Sequence, residues 1–176
     1  MVLAAAALGL SGCGDSGAPP QALPSLTSSA TPHATATPTS SAPELQRSAE
    51  QFVRDYAREL DRANHASDPS VLERDYYLPG CRACRYDIGA LNRFRSNGQH
   101  IEGYRTVLED VDADEMVGNT VRVAVVLRSE SGRVVDRSGK TVENLAATGS
   151  LKNDVIVARA ISGWRIAEIV PLGEAK

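Results

Sequence analysis

From Leu45 onward the apolar residues recur at three- and four-residue intervals: Leu45, Ala49, Phe52, Val53, Tyr56, Ala57, Leu60 and Ala63. Polar residues fill the gaps, which predicts one apolar face of an amphipathic helix about five turns long. Ahead of it, Ser41-Ala42-Pro43-Glu44 has the form of a capping box, with proline where a helix start tolerates it. Ser67-Asp68-Pro69 ends this helix and opens a short second one containing Val71 and Leu72. Cys84, Ile88, Leu91 and Phe94 suggest a third helix, stopped at Asn97-Gly98, a pair suited to left-handed backbone.

After Gly98 the period changes to two. Tyr104, Thr106 and Leu108 alternate with polar partners, as do Val121, Val123, Val125 and Leu127. Ser131-Gly132 and Ser138-Gly139 mark turns. Val155-Ile156-Val157, then Ser162-Gly163 and the run Trp164 to Val170, read as a closing hairpin. Helices first and strands afterwards, with hairpin-length connections, predict an α+β domain: an antiparallel sheet with helices on one face.

The stretch before Glu44 is a different material. The first 43 residues carry one charged side chain, Asp15, whereas the rest is charged like an ordinary soluble domain. Met1 to Leu10 is an unbroken apolar run, too short to cross a bilayer and suited to the hydrophobic region of a secretory signal. Leu10-Ser11-Gly12-Cys13 resembles the bacterial lipobox, whose cysteine sulfur receives a diacylglyceryl group before the peptide is cut in front of it. Two acyl chains suffice for stable anchoring where one does not. A signal should open with lysine or arginine, and none is present, so the translation start is expected upstream of Met1. Gly14 to Pro43 holds six of the nine prolines and is otherwise mostly Ser, Thr and Ala, a composition that has little to bury and predicts a disordered spacer. The expected layout is a signal peptide over 1–12, a lipidated linker over 13–43 and one domain over 44–176, on the extracytoplasmic face of the membrane.

One long helix, two short ones, and strands ending in Gly163-Trp164-Arg165-Ile166-Ala167-Glu168-Ile169 resemble the nuclear-transport-factor-2-like superfamily. More narrowly, a helix followed by Asp68-Pro69 and a paired-cysteine segment resembles uncharacterised lipoproteins of actinobacteria. The resemblance implies three N-terminal helices packed on a curved, mainly four-stranded antiparallel sheet. The resemblance leaves open whether that cone is a ligand pocket, an enzyme site or a core filled by side chains, and whether the chain pairs as a homodimer through the sheet.

Cys81-Arg82-Ala83-Cys84 is the sharpest chemical feature of the domain. Zinc needs four ligands, and with Cys13 lipidated only two cysteines and three scattered histidines remain. A redox pair needs a low-pKa thiolate at a helix start, which the third helix offers, but no strand precedes the motif as in a thioredoxin-like unit. A structural disulfide is favoured, because export exposes both thiols to oxidation and one helical turn is a bridgeable span. The acidic run Glu109 to Glu115 mimics the first three ligands of a calcium loop. The match then fails, with Glu115 in place of the turn glycine and Val121 in place of the bidentate glutamate, so the run reads as a solvated loop between strands. The five tyrosines, Tyr56, Tyr76, Tyr77, Tyr86 and Tyr104, read as core and rim packing, and His65 and His100 as surface residues. No Asp–Tyr pair matches an acid–base site.

The formal net charge of −3 and the absence of a basic aromatic stripe point away from nucleic acid. No cofactor or metal is expected. The sequence therefore reads as a membrane-anchored, non-catalytic module for a small apolar ligand or an envelope protein. The alternative is an extracytoplasmic enzyme, either a cone-site isomerase or hydrolase, or a thiol–disulfide exchanger at Cys81 and Cys84.

Overall fold

At the start of the first helix Ser41 gives its backbone N–H to the Glu44 carboxylate at 2.8 Å, completing the expected capping box. The protein is described by a computed structural model over residues 41–175. The expectations for the signal peptide, for Cys13 and for the linker up to Ser40 lie outside the described residues.

Helix α1 runs Ala42–Ala66 and buries Ala49, Val53, Tyr56, Ala57 and Ala63, the stripe its periodicity predicts. It ends at Ser67, whose left-handed backbone (φ 50°) lets the amide of Asp68 reach back to the Ala63 carbonyl. The short second helix is present but wider than expected: Leu72–Tyr76 is a π-helical turn, closed by the Tyr77 amide on the Leu72 carbonyl at 3.0 Å. Helix α2 runs Arg82–Asn97 and is stopped at Gly98, which takes φ 65°.

Seven strands follow: β1 (His100–Glu102), β2 (Thr106–Ala113), β3 (Thr120–Ser129), β4 (Gly132–Val135), β5 (Thr141–Leu145), β6 (Leu151–Ala160) and β7 (Gly163–Glu174). The main sheet is antiparallel in the order β2-β3-β6-β7, and a smaller sheet is ordered β1-β4-β5. Val121, Val123, Val125, Val155, Val157 and Ile166 are buried beneath the helices, so the two-residue period is a true inside–outside alternation. Trp164 joins this core and its indole N–H donates to the Ser48 hydroxyl of α1 at 3.0 Å.

Two sequence readings need correction. The acidic run is mostly strand, not loop: Val111 and Ala113 are buried while Asp112 is exposed, and Arg122 of the neighbouring strand bonds Asp114 at 2.5 Å. Alternation with two small apolar residues, and a neighbouring cation, make extended backbone acceptable for a segment this acidic. The smaller sheet was legible only as its turns. A hairpin around Asp136 joins β4 to β5, with the Asp136 carboxylate accepting the amides of Ser138 and Lys140 at 2.8 and 3.1 Å.

Candidate functional site

The concave side of the main sheet is not filled. Between it and α1 lies a cavity of about 170 Å³. Helix α1 supplies Val53, Tyr56, Ala57 and Leu60, and the sheet supplies apolar side chains such as Leu108, Val125, Leu127 and Ile169. A second, more open space of about 480 Å³ adjoins it on the side of α2 and the smaller sheet. The two share Leu60, Asp87 and Thr106 as walls, so Asp87 stands where the inner cavity meets its vestibule.

Asp87 is held there by its helix. It lies three residues after Cys84 and four before Leu91, both buried on the inward face of α2. Tyr77, which follows the π-helical turn, is buried nearby: its hydroxyl donates to that of Tyr56, a wall of the inner cavity, at 3.1 Å, and Asp87 is close enough for each of Tyr77 and Asp87 to shift the other's pKa. Tyr77 is further fixed by a bridge to Ile166 of β7, with the Leu78 amide on the Ile166 carbonyl at 2.9 Å. The rings of Tyr56 and Tyr77 meet edge to face at 5.8 Å.

Burial dominates the electrostatics. Desolvation pushes the Asp87 carboxyl up to about 6, with Tyr77 opposing only part of the rise. Both phenols are raised above the ordinary tyrosine range, chiefly by burial and further by the nearby Asp87 charge. At neutral pH the cluster is thus a carboxylate against two neutral phenols, with the carboxyl poised close to neutrality. Such a group can accept a hydrogen bond, pair with a cation or exchange a proton with a bound molecule.

Tyr56 and Tyr77 are core residues, as expected, and their hydroxyls are paired with each other. The proximity of Asp87 to Tyr77 is what the sequence did not reveal. Asn153 was also missed. It pairs with Val125 across the sheet and faces the cavity, in a row otherwise formed by Leu151, Val155 and Val157.

Cys81 and Cys84 lie at disulfide distance, with Cα atoms 5.3 Å apart. Cys81 caps α2, its sulfur accepting the Cys84 amide at 3.2 Å. Both are at most 1 % exposed, so neither sulfur is presented to a protein substrate. Among the described residues no cluster of three or more His, Cys, Asp or Glu could hold a metal ion. His65 is exposed and bonds the Ile101 carbonyl at 2.8 Å, whereas His100 is half-buried beside Glu102.

Comparison of the backbone with solved structures decides the architecture. The intermembrane-space region of the chloroplast protein ARC6 superposes with a TM-score of 0.56 at 19 % identity, covering 78 % of this chain and 100 % of that one. A nuclear transport factor 2-like superfamily protein from Salmonella enterica superposes with a TM-score of 0.51 at 13 % identity, covering 77 % and 95 %. The fold is nuclear-transport-factor-2-like. At these identities the likeness concerns the fold, and what the cone does has to be argued from its own side chains. No family model and no curated protein matches the sequence.

Proposed function

We propose that this chain is an envelope lipoprotein, anchored through Cys13, whose cone binds a small apolar molecule. The observation that carries the binding reading is the unfilled inner cavity with a polar residue at its inner mouth. Its size is close to that of an engineered apolar cavity of ~150 Å³ that stays dry and takes up benzene. Apolar walls with a few placed polar groups are the usual make-up of a small-molecule site. The lipid anchor is supported by Leu10-Ser11-Gly12-Cys13 and the proline-rich segment behind it, in which Asp15 is the one charged side chain.

Toluene is a suitable first probe. Titrated into the full chain, it should shift the methyl NMR signals of Val125, Leu127 and Ile169. Ala57→Leu, which places new methyl groups in the void while keeping a good helix former, should abolish that response. Unmoved cavity signals at saturating toluene would refute ligand binding. For the anchor, Cys13→Ala should move the protein from the membrane fraction to the medium.

A second reading is favoured by one observation, the desolvated Asp87 carboxyl on the wall that the two spaces share. It makes the cone an acid–base site in which the Asp87 carboxylate takes a proton from carbon in a bound molecule and returns it. Hydrogen–deuterium exchange at carbon in a bound ketone, followed by NMR in D₂O and lost in Asp87→Asn, would establish it.

A further inference from the structure

We propose that the vestibule is an organic-cation site, which takes the ammonium group of a small amine while the amine's apolar body occupies the inner cavity. The proposal rests on the ligand-binding reading above and assigns the chemical class of the ligand.

The first observation is charge. Among the described residues lining either space, Asp87 is the one formally charged side chain, and no Lys, Arg or His faces it there. The polar groups that share its cavity wall are neutral: Tyr56 from α1, Thr106 from β2 and Asn153 from β6; Tyr77, behind Tyr56, is neutral too. The nearby acids of α1 are engaged elsewhere. Asp61 accepts the Thr106 amide at 2.9 Å, and Glu59 is paired with Arg62. A half-buried carboxylate left with phenols and no cation is poorly compensated, and an arriving ammonium group supplies the missing charge. For an anionic ligand the same site offers repulsion.

The second observation is aromatic lining. Tyr86, Phe94 and Tyr104 all border the vestibule, and Tyr86 stays 73 % exposed. Ring faces attract ammonium groups, and an acid flanked by aromatic side chains provides both a point charge and a polarised wall. The third observation is the division of space. The larger volume holds the three rings, the charge stands on the wall between the two, and the smaller volume is mostly apolar and sized for a single ring or a short branched alkyl group. Together these describe a ligand with one positive end and one compact apolar end.

Benzylamine and benzyl alcohol form a matched pair, alike in ring and length and different in charge. By calorimetry on the full chain at pH 7.5, benzylamine should bind about tenfold more tightly than benzyl alcohol. The preference should shrink to within about twofold at pH 5, where Asp87 is mostly protonated while the amine keeps its charge. Asp87→Asn should remove the preference at both pH values, lowering benzylamine affinity more than benzyl alcohol affinity. Phe94→Leu should weaken benzylamine more than benzyl alcohol. Equal or tighter binding of benzyl alcohol to the unmodified protein at pH 7.5 would overturn the cation assignment while leaving ligand binding intact. Binding of neither probe would overturn the ligand-binding reading itself, and this one with it.

Discussion

Asp87 opposes folding at neutral pH. Its carboxyl titrates near 6 in the folded protein against an ordinary value of 3.8, so between about pH 4 and 6 the folded state holds more protons than the unfolded one. Stability contributed by this residue therefore falls as pH rises through that window, and the loss is complete above it. A shift of about two units corresponds to roughly 2–3 kcal/mol. Denaturation of Asp87→Asn and the unmodified chain, compared at pH 4 and pH 7, should show the difference moving by about that amount in favour of asparagine. A difference independent of pH would mean the carboxyl is not desolvated. The signal for Asp87 was present in the sequence. Cys84, Asp87, Leu91 and Phe94 follow a three-four-three spacing, which puts an acid on an apolar stripe. The alternative spacing through Ile88 reads equally well, and only the packing shows both positions turned toward the interior. Tyr77 was beyond reach, because nothing local announces that a π-helical turn will bring it to α2. The cysteines were legible from spacing alone. Replacing both with alanine should cost about 2 kcal/mol for so short a loop, and should lower Tm by roughly 4–8 °C. Reducing agent should do the same to the unmodified protein and nothing to the variant.

At the level of elements, the sequence spoke clearly wherever one face is buried and the other wet. Helices α1 and α2 and strand β3 follow from periodicity, and β6 and β7 from apolar runs on either side of the Ser162-Gly163 turn. Strand β5 is the opposite case, since Thr141 to Asn144 are exposed and nothing distinguishes them from loop. That strand exists because β4 pairs with it and β1 pairs with β4, a tertiary fact without a local pattern. Its neighbour carries a sharper constraint. A Cβ on Gly132 would lie 2.4 Å from the Tyr104 amide nitrogen and 2.7 Å from the Glu102 carbonyl oxygen, both backbone atoms with no room to yield. Gly132→Ala should therefore prise β4 from the segment between β1 and β2, at a cost of about 2–3 kcal/mol. Hydrogen exchange should show protection lost in β1 and β4 first, with β3 and β6 unaffected. Uniform loss across both sheets would contradict the separation between them.

For the whole molecule, the two ends of α1 have different neighbours. Gln46 near its start bonds the Ala113 carbonyl at the end of β2, whereas Leu60 and Asn64 near its finish border the vestibule. At 1.5 Å per residue, Ser41 and Asn64 are about 35 Å apart. Cys13→Ala, which alters only what precedes the helix, should consequently leave the affinity for benzylamine unchanged within about twofold. A larger change would show that residue 13 bears on the site. The two ends of the helix are thus separable by mutation: changes around Gln46 act on the far end of β2, and changes around Leu60 and Asn64 act on the doorway to the inner cavity.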